Sequence, residues 1–389
     1  MNDLPEPSAE ALALSQQLVA VIREEIAAGA GSIPFSRYME LCLYSPGLGY
    51  YSAGSQKFGA AGDFITAPEL SSLFGRCLAQ SCASVLVELG GGDILEFGAG
   101  SGRLAADILG ELETAGHLPG QYCILERSAE LRARQQETLV TQVPQLFERV
   151  VWLDALPQAN FRGVLLANEV LDAMPVERFR WNGTAVELFH VSGSDEPLDW
   201  CPVETHGGAV AADVRHLVTE AGLAAGYVSE INMTLAPWLG SIAALLDQGM
   251  VLLADYGYPR HEYYHPQRSA GTLMCHYRHR AHDNPFLWPG LQDITAHVDF
   301  TAVAEAGSAA GLDVTGYTTQ VHFLLDCGID RLLSAVGPSD SVDYLKQAQQ
   351  VKQLLLPGEM GERFKFIGLT RDIENPIPGF RLQNFLHRL

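Results

Sequence analysis

The sequence predicts an α/β fold built on a mostly parallel, doubly wound sheet, and three observations carry that expectation. From Asp93 onward, short apolar runs ("DILEFGAG", "QYCILER", "RVVWLDAL", "GVLLANEV") mostly alternate with helical stretches such as "GRLAADILGELETAG" and "SAELRARQQETLVTQV". Strand alternating with helix implies parallel strands covered on both faces. The first run ends in a glycine-rich turn that opens a helix, where a sheet of this kind receives a ligand. Finally, 389 residues with 47% hydrophobic content supply ample material for a core.

The elements follow in order. Residues 9–28 read as a helix: Leu18, Val19, Ile22 and Ile26 share a face, Ser8 can cap, and "AGAGS" ends the run. The stretch "IPFSRYMELCLYSPGLGYYSAGSQKFGAAGDFITAPEL" is too rich in Gly, Pro and aromatics for one long element. A second helix is expected from Ser71 to about Leu89, stopping at "GGG". After the four apolar runs, the helix "APWLGSIAALLDQG" leads into a fifth strand, "MVLLADYGY". The tail adds a helix near 303–311, a strand within "LDVTGYTTQVHFLL", a helix near 343–355 and a strand in "FKFIGLTRDI". Those two tail strands are candidates for an antiparallel pair closing the sheet. Two segments break the rhythm. Residues 177–225 hold two alternating runs around Asn182-Gly183, a hairpin signal, and residues 259–292 are loop-like. The chain thus divides into a helical and loop extension, 1–92, expected to cover the ligand site, and a core, 93–389, with insertions at about 177–225 and 259–292.

Charge narrows the partners. Forty-six acidic residues against 25 basic ones give −21, the reverse of what a phosphate-backbone binder needs, so nucleic acid is not expected. Such acidity serves solubility or a cationic partner. Seven scattered cysteines without a C-x-x-C pair read as reduced thiols. The N-terminal "MNDLPEPSAEALALSQQ" has neither the basic region of a signal peptide nor the arginines of a transit peptide. With no apolar run near the ~18 residues of a membrane span, no membrane insertion is expected and the cytoplasm is the expected compartment.

In "DILEFGAGSGRL", Gly98, Gly100 and Gly102 are spaced G-x-G-x-G, unlike the G-x-G-x-x-G of dinucleotide sites. Glu96, just inside the strand, would repel a pyrophosphate and suits an ammonium group. Glu126 closes the second strand where a ribose-binding carboxylate belongs. Asp154 closes the third, within reach of an adenine amino group. Three acids and three glycines on one edge describe S-adenosylmethionine (SAM), which has adenine, a ribose diol, an amino acid and no phosphate. The alternatives are a nicotinamide or flavin dinucleotide site, or acids that merely solubilise strand ends.

The segments "GDFITAPELSSLFG", "LEFGAGSGRL", "LLANEVLDAMPV" and "GTLMCHYRHRAHDNPF…PGLQDITAHVDF" resemble the MidA family of class I SAM-dependent methyltransferases, in order, from about residue 35 to the C-terminus. The resemblance implies a Rossmann-like, seven-stranded methyltransferase sheet with added segments. Mitochondrial members of that family are assembly factors for respiratory complex I. For them the resemblance implies symmetric dimethylation of an arginine on a complex I subunit, and so a protein partner here. It also implies that residues after the fourth strand, Asn168, Glu169 and Asp172, face the transferred methyl. Asn168 is then a cofactor ligand, and the carboxylates of Glu169 and Asp172 clamp a guanidinium. The other reading is that Asn168 and Asp172 cap the next helix while Glu169 completes the SAM pocket.

The remaining motifs divide between ligand and structure. In "GDFITAPEL", Asp63, Thr66 and Pro68 are candidates for the cofactor site and Glu69 for the substrate. Alternatively, Thr66 and Glu69 form a capping box with Pro68 at the helix start. Asp255 and Tyr256 end the fifth strand and are candidates to line an acceptor channel, unless Asp255 simply starts a turn. "CHYRHRAHDNPF" spaces its histidines i, i+3, i+6 among Arg278 and Arg280, and Cys275 has no partner at ligand spacing. No metal is expected there. His276 and His282 are candidate proton acceptors in a polar loop, or simply hydrogen-bonded structural residues. The reading is a SAM-dependent methyltransferase acting on arginine of a protein partner. A small-molecule methyltransferase and a non-catalytic SAM-binding assembly factor remain as alternatives, and a homodimer is left open.

Overall fold

A computed structural model describes residues 4–52, 66–158, 160–193 and 196–389. Its contacts gather into two units. One comprises Ile65–Leu171, Trp238–Gly257 and Phe300–Leu389, the other Met1–Phe64, Asp172–Pro237 and Tyr258–Asp299.

The first unit is the α/β sheet. Its main path uses β1 (Asp93–Phe97), β2 (Tyr122–Leu125), β3 (Val150–Leu153), β4 (Phe161–Asn168), β5 (Leu246–Tyr258), β6 (Asp313–Thr319) and β7 (Phe364–Arg371). They lie in the order β6-β7-β5-β4-β1-β2-β3. β1 runs parallel to β2 and β4, β2 to β3, and β4 to β5. β7 is antiparallel to both β5 and β6, so the tail pair closes the sheet as expected. Helices Arg103–Ala115 and Ala129–Gln142 make the crossovers between β1, β2 and β3. Val164 to Ala167 in β4 are all buried, as strands covered on both faces must be. Helix Ser72–Leu89, ended by left-handed Gly90, shares a core with helix Arg103–Ala115 through Phe74, Leu78, Ile108 and Leu112. Across that core Phe323 stacks on Phe366 with ring centroids 3.8 Å apart. Each such side chain withdrawn from water contributes about 1.5–3 kcal/mol.

Strand order reverses at β1, which has β2 on one side and β4 on the other. Register then aligns the carboxyl ends: Phe97 opposes Leu125 and Ala167, and Ala254 opposes Asn168. Gly98, Glu126, Asn168 and Asp255 therefore share one sheet edge at the switch point, where open α/β sheets bind ligands.

The second unit carries its own core. Helix Ala9–Ala28, capped by Ser8, buries Leu18, Ile22 and Ile26. Strands Glu177–Trp181 and Val186–Ser192 form the hairpin expected at Asn182-Gly183, with Trp181 opposite Val186. Strands Tyr227–Ile231 and Asp199–Thr205 extend that sheet. One expectation is extended and one corrected here. The stretch after residue 29, too irregular for one long element, contains a short helix, Phe35–Tyr44, that buries Phe35, Tyr38, Met39 and Cys42 at helical spacing, with Ser36, Arg37 and Glu40 on the other side. Residues 259–292 are not a loop. They hold a short helix, Arg260–Tyr263, and strands Met274–Tyr277 and Arg280–His282, with Asp293–Thr295 pairing against the first of these. The hairpin turns on Arg278 and His279, at φ 47° and 60°. Left-handed turns normally use Asn or Gly, so these two residues gave no turn signal. No described helix is long and apolar enough to cross a membrane.

Candidate active site

The glycine turn leaves β1 in a conformation that side chains resist. Gly98, Gly100 and Gly102 have φ of 61°, 53° and 84°. A Cβ at Gly102 would also lie 3.0 Å from the Gln135 Cα, so only glycine keeps helix Ala129–Gln142 this close. The turn thus presents bare backbone at the start of helix Arg103–Ala115.

Two buried carboxylates flank it. Glu96 is 2% exposed and accepts a hydrogen bond from the Tyr122 hydroxyl at 2.7 Å. Burial pushes its carboxyl up to about 7; the Tyr122 bond opposes the shift and Glu126 adds to it. Such a group gains from a cation beside it. Glu126, also buried and raised by burial, accepts from the Ser128 backbone N–H at 2.9 Å and from Gln135 Nε2 at 3.2 Å. This donor set fits an adenosyl amino acid: exposed backbone, a carboxylate placed for a ribose, and an acid suited to an ammonium. Asp154 differs. Its side chain is 91% exposed and pairs with Arg132 at 2.7 Å, while Arg132 also donates to the carbonyls of Glu126 and Leu153. Nothing in the sequence distinguished Arg132, which ties the end of β2 to the end of β3.

At the end of β4, Asn168 Nδ2 donates to the Glu169 carboxylate at 3.1 Å. Glu169 has φ 54°, a left-handed backbone costly for a side-chain-bearing residue, and its N–H donates to the Ala254 carbonyl at 2.9 Å. Asp255 holds the same turn. It is 1% exposed and accepts from the N–H groups of Leu171 and Tyr256, both at 2.9 Å. Tyr256 packs edge-on against Phe364.

The capping box read at Thr66 is not formed. Thr66 precedes helix Ala67–Leu70 without a side-chain bond to it. Glu69 instead accepts from the Ser101 hydroxyl of the glycine turn and lies 3.8 Å from Arg103. A nearby opposite charge and a better donor outcompete the local cap. Pro68 is buried; Asp63 lies outside the described residues.

Asp172, His276 and His282 fall in the other unit. Asp172 is buried, and its carbonyl accepts from the Ala296 N–H at 3.0 Å. The phenol of Tyr51 is pushed well up by burial, then by Asp293, with smaller effects from Tyr44 and Asp172. On the histidine hairpin, Cys275 opposes His282 and His276 opposes Ala281, so the two histidines point to opposite faces. Burial lowers both imidazoles and so favours their neutral forms. His282 Nδ1 accepts from the Asn284 N–H at 3.3 Å, and neighbouring Gln292 donates to the Asn284 and Pro285 carbonyls. Among the described residues no group of three His, Cys, Asp or Glu could hold a metal ion.

Comparison with known proteins identifies the family. Residues 77–318 match the family described as "putative S-adenosyl-L-methionine-dependent methyltransferase". A solved protein from Burkholderia thailandensis, bound to S-adenosyl-homocysteine, is 46% identical over all of both chains, with a TM-score of 0.95. The mitochondrial protein arginine methyltransferase NDUFAF7 of Danio rerio is 28% identical over 87% of this chain and 83% of its own. Its Homo sapiens counterpart is 28% identical over 87% and 80%.

Proposed function

The chain belongs to a family of SAM-dependent methyltransferases, and from that premise we propose that it methylates an arginine of a protein partner. SAM supplies an electrophilic methyl group on a sulfonium. Glu96 takes the ammonium end, the turn at Gly98, Gly100 and Gly102 lets the ligand approach backbone, and Glu126 takes the ribose diol. Asn168 completes the pocket, with Asp154 at the adenine end. Asp63, Thr66 and Pro68 belong to the same cofactor assignment.

The acceptor reading rests on the arginine methyltransferases among the relatives and on one observation, the strained turn that presents Glu169. A guanidinium is a poor nucleophile because its lone pairs are delocalised. A fixed carboxylate localises density on the attacking nitrogen. Glu169 has that role, with Asp172 three residues on as the second carboxylate; Glu69 and Tyr256 are assigned to the acceptor side, while Asp255, read from the sequence as a channel residue, holds the turn through the Leu171 and Tyr256 N–H groups instead. As the N–C bond forms and the S–C bond breaks, the nitrogen loses a proton, for which His276 or His282 is the candidate acceptor; the two face opposite sides of their hairpin, so only one of them serves. A complex I subunit is the acceptor that the MidA resemblance suggests.

The test is transfer from methyl-tritiated SAM into a lysate of a deletion strain, followed by mass spectrometry of arginine. Label in protein arginine that disappears with Glu169→Gln, while S-adenosyl-homocysteine still binds, supports the proposal. Label confined to small molecules assigns a small-molecule methyltransferase instead, and binding without any transfer assigns a scaffold.

A further inference from the structure

Helix Ala129–Gln142 buries three side chains at helical spacing, Leu131, Gln135 and Leu139. Packing alone would favour a third leucine in the middle. Gln135 is 0% exposed, and a buried amide costs free energy unless every polar atom is bonded. Here they are. Trp152 Nε1 donates to Gln135 Oε1 at 2.9 Å, and Gln135 Nε2 donates to the Gly100 carbonyl at 3.1 Å and to Glu126 Oε2 at 3.2 Å. The orientation is chemically fixed, because indole only donates while a carbonyl and a carboxylate only accept. One amide therefore joins the glycine turn after β1, the end of β2 and strand β3.

We propose that Gln135 is a positioning residue for the cofactor, locking the Glu126 carboxylate and the Gly100 carbonyl into a single preformed ribose-binding edge. The inference rests on the reading of Glu126 as the ribose ligand. It never touches the ligand in this role; it acts through Glu126. Its bond also opposes the burial that raises the Glu126 carboxyl.

Calorimetry of S-adenosyl-homocysteine binding to the full chain tests this in a double-mutant cycle of Glu126→Gln and Gln135→Met. Each single variant is expected to bind about tenfold to a hundredfold more weakly, the scale of one hydrogen bond to a charged group. The double variant should bind no worse than Glu126→Gln alone, since the two losses are one loss. Wild-type affinity in Gln135→Met, or losses that multiply in the double variant, would overturn the inference and leave the Glu126 reading standing. No effect of Glu126→Gln would remove both. Should Gln135→Met fail to fold, near-isosteric Gln135→Glu serves: its carboxyl has one proton to donate, to Glu126 or to the Gly100 carbonyl, and none once ionised. Its affinity relative to wild type must then fall as pH rises and that carboxyl ionises. A constant ratio overturns the proposal.

Discussion

Glu96 has its carboxyl raised to about 7 in the folded chain, from an ordinary value of 4.5. Between those values the folded state binds more protons than the unfolded one, so stability falls as pH rises through that window. Ligand binding has the opposite sign. A cationic ammonium favours the ionised carboxylate, so binding releases a proton, and affinity for S-adenosyl-homocysteine should rise with pH up to about 7 and then level. Glu96→Gln keeps an acceptor for the Tyr122 hydroxyl and removes the buried charge. It should melt above wild type at alkaline pH when free of ligand, yet bind weakly and without the pH dependence. Thermal melts and calorimetry across pH check both halves; an unchanged affinity profile would separate Glu96 from the ammonium.

At the scale of elements, two turns make separate demands. The turn after β4 is held by Asp255, whose oxygens accept from Leu171 and Tyr256. Asp255→Ala strands two N–H groups in a buried site and should cost about 2–5 kcal/mol in urea unfolding, with turnover lost along with the placement of Glu169. A loss under 1 kcal/mol would mean that the backbone alone holds the turn. In the histidine hairpin, Arg278 and His279 occupy left-handed positions that cost about 1–2 kcal/mol each for side-chain-bearing residues. Arg278→Asn with His279→Gly relieves that strain but removes the stacking of Arg278 on Tyr277, about 0.5–1 kcal/mol at an exposed site. A net gain of about 1 kcal/mol is expected. The unfolding midpoint reads it, and a loss would show that the arginine's contacts outweigh the turn.

For the molecule as a whole, what was legible is what the backbone repeats. The five parallel strands announced themselves as apolar runs, so spacing put Glu96 and Glu126 at the carboxyl edge of the sheet, and the MidA resemblance added Asn168. Side chains recruited from elsewhere could not. Gln135 lies on a largely polar helix where one more amide is unremarkable, Arg132 resembles any surface arginine, and Glu69 satisfied a local capping pattern while bonding Ser101 thirty-two residues on. Short strands around an atypical turn hid the histidine hairpin. Charge, by contrast, is a property of the entire chain and was readable at once. A net −21 would favour a basic acceptor protein, and such attraction is screened by salt. Raising ionic strength from about 0.01 M to about 0.15 M shortens the Debye length from about 30 Å to about 8 Å. The KM for a basic protein acceptor should rise severalfold over that range. Affinity for S-adenosyl-homocysteine, a zwitterion held at short range by buried groups, should barely move. Initial-rate kinetics beside calorimetry at matched salt decide the matter: equal weakening of both would trace the effect to the cofactor pocket, and a flat KM would leave the acidity to solubility alone.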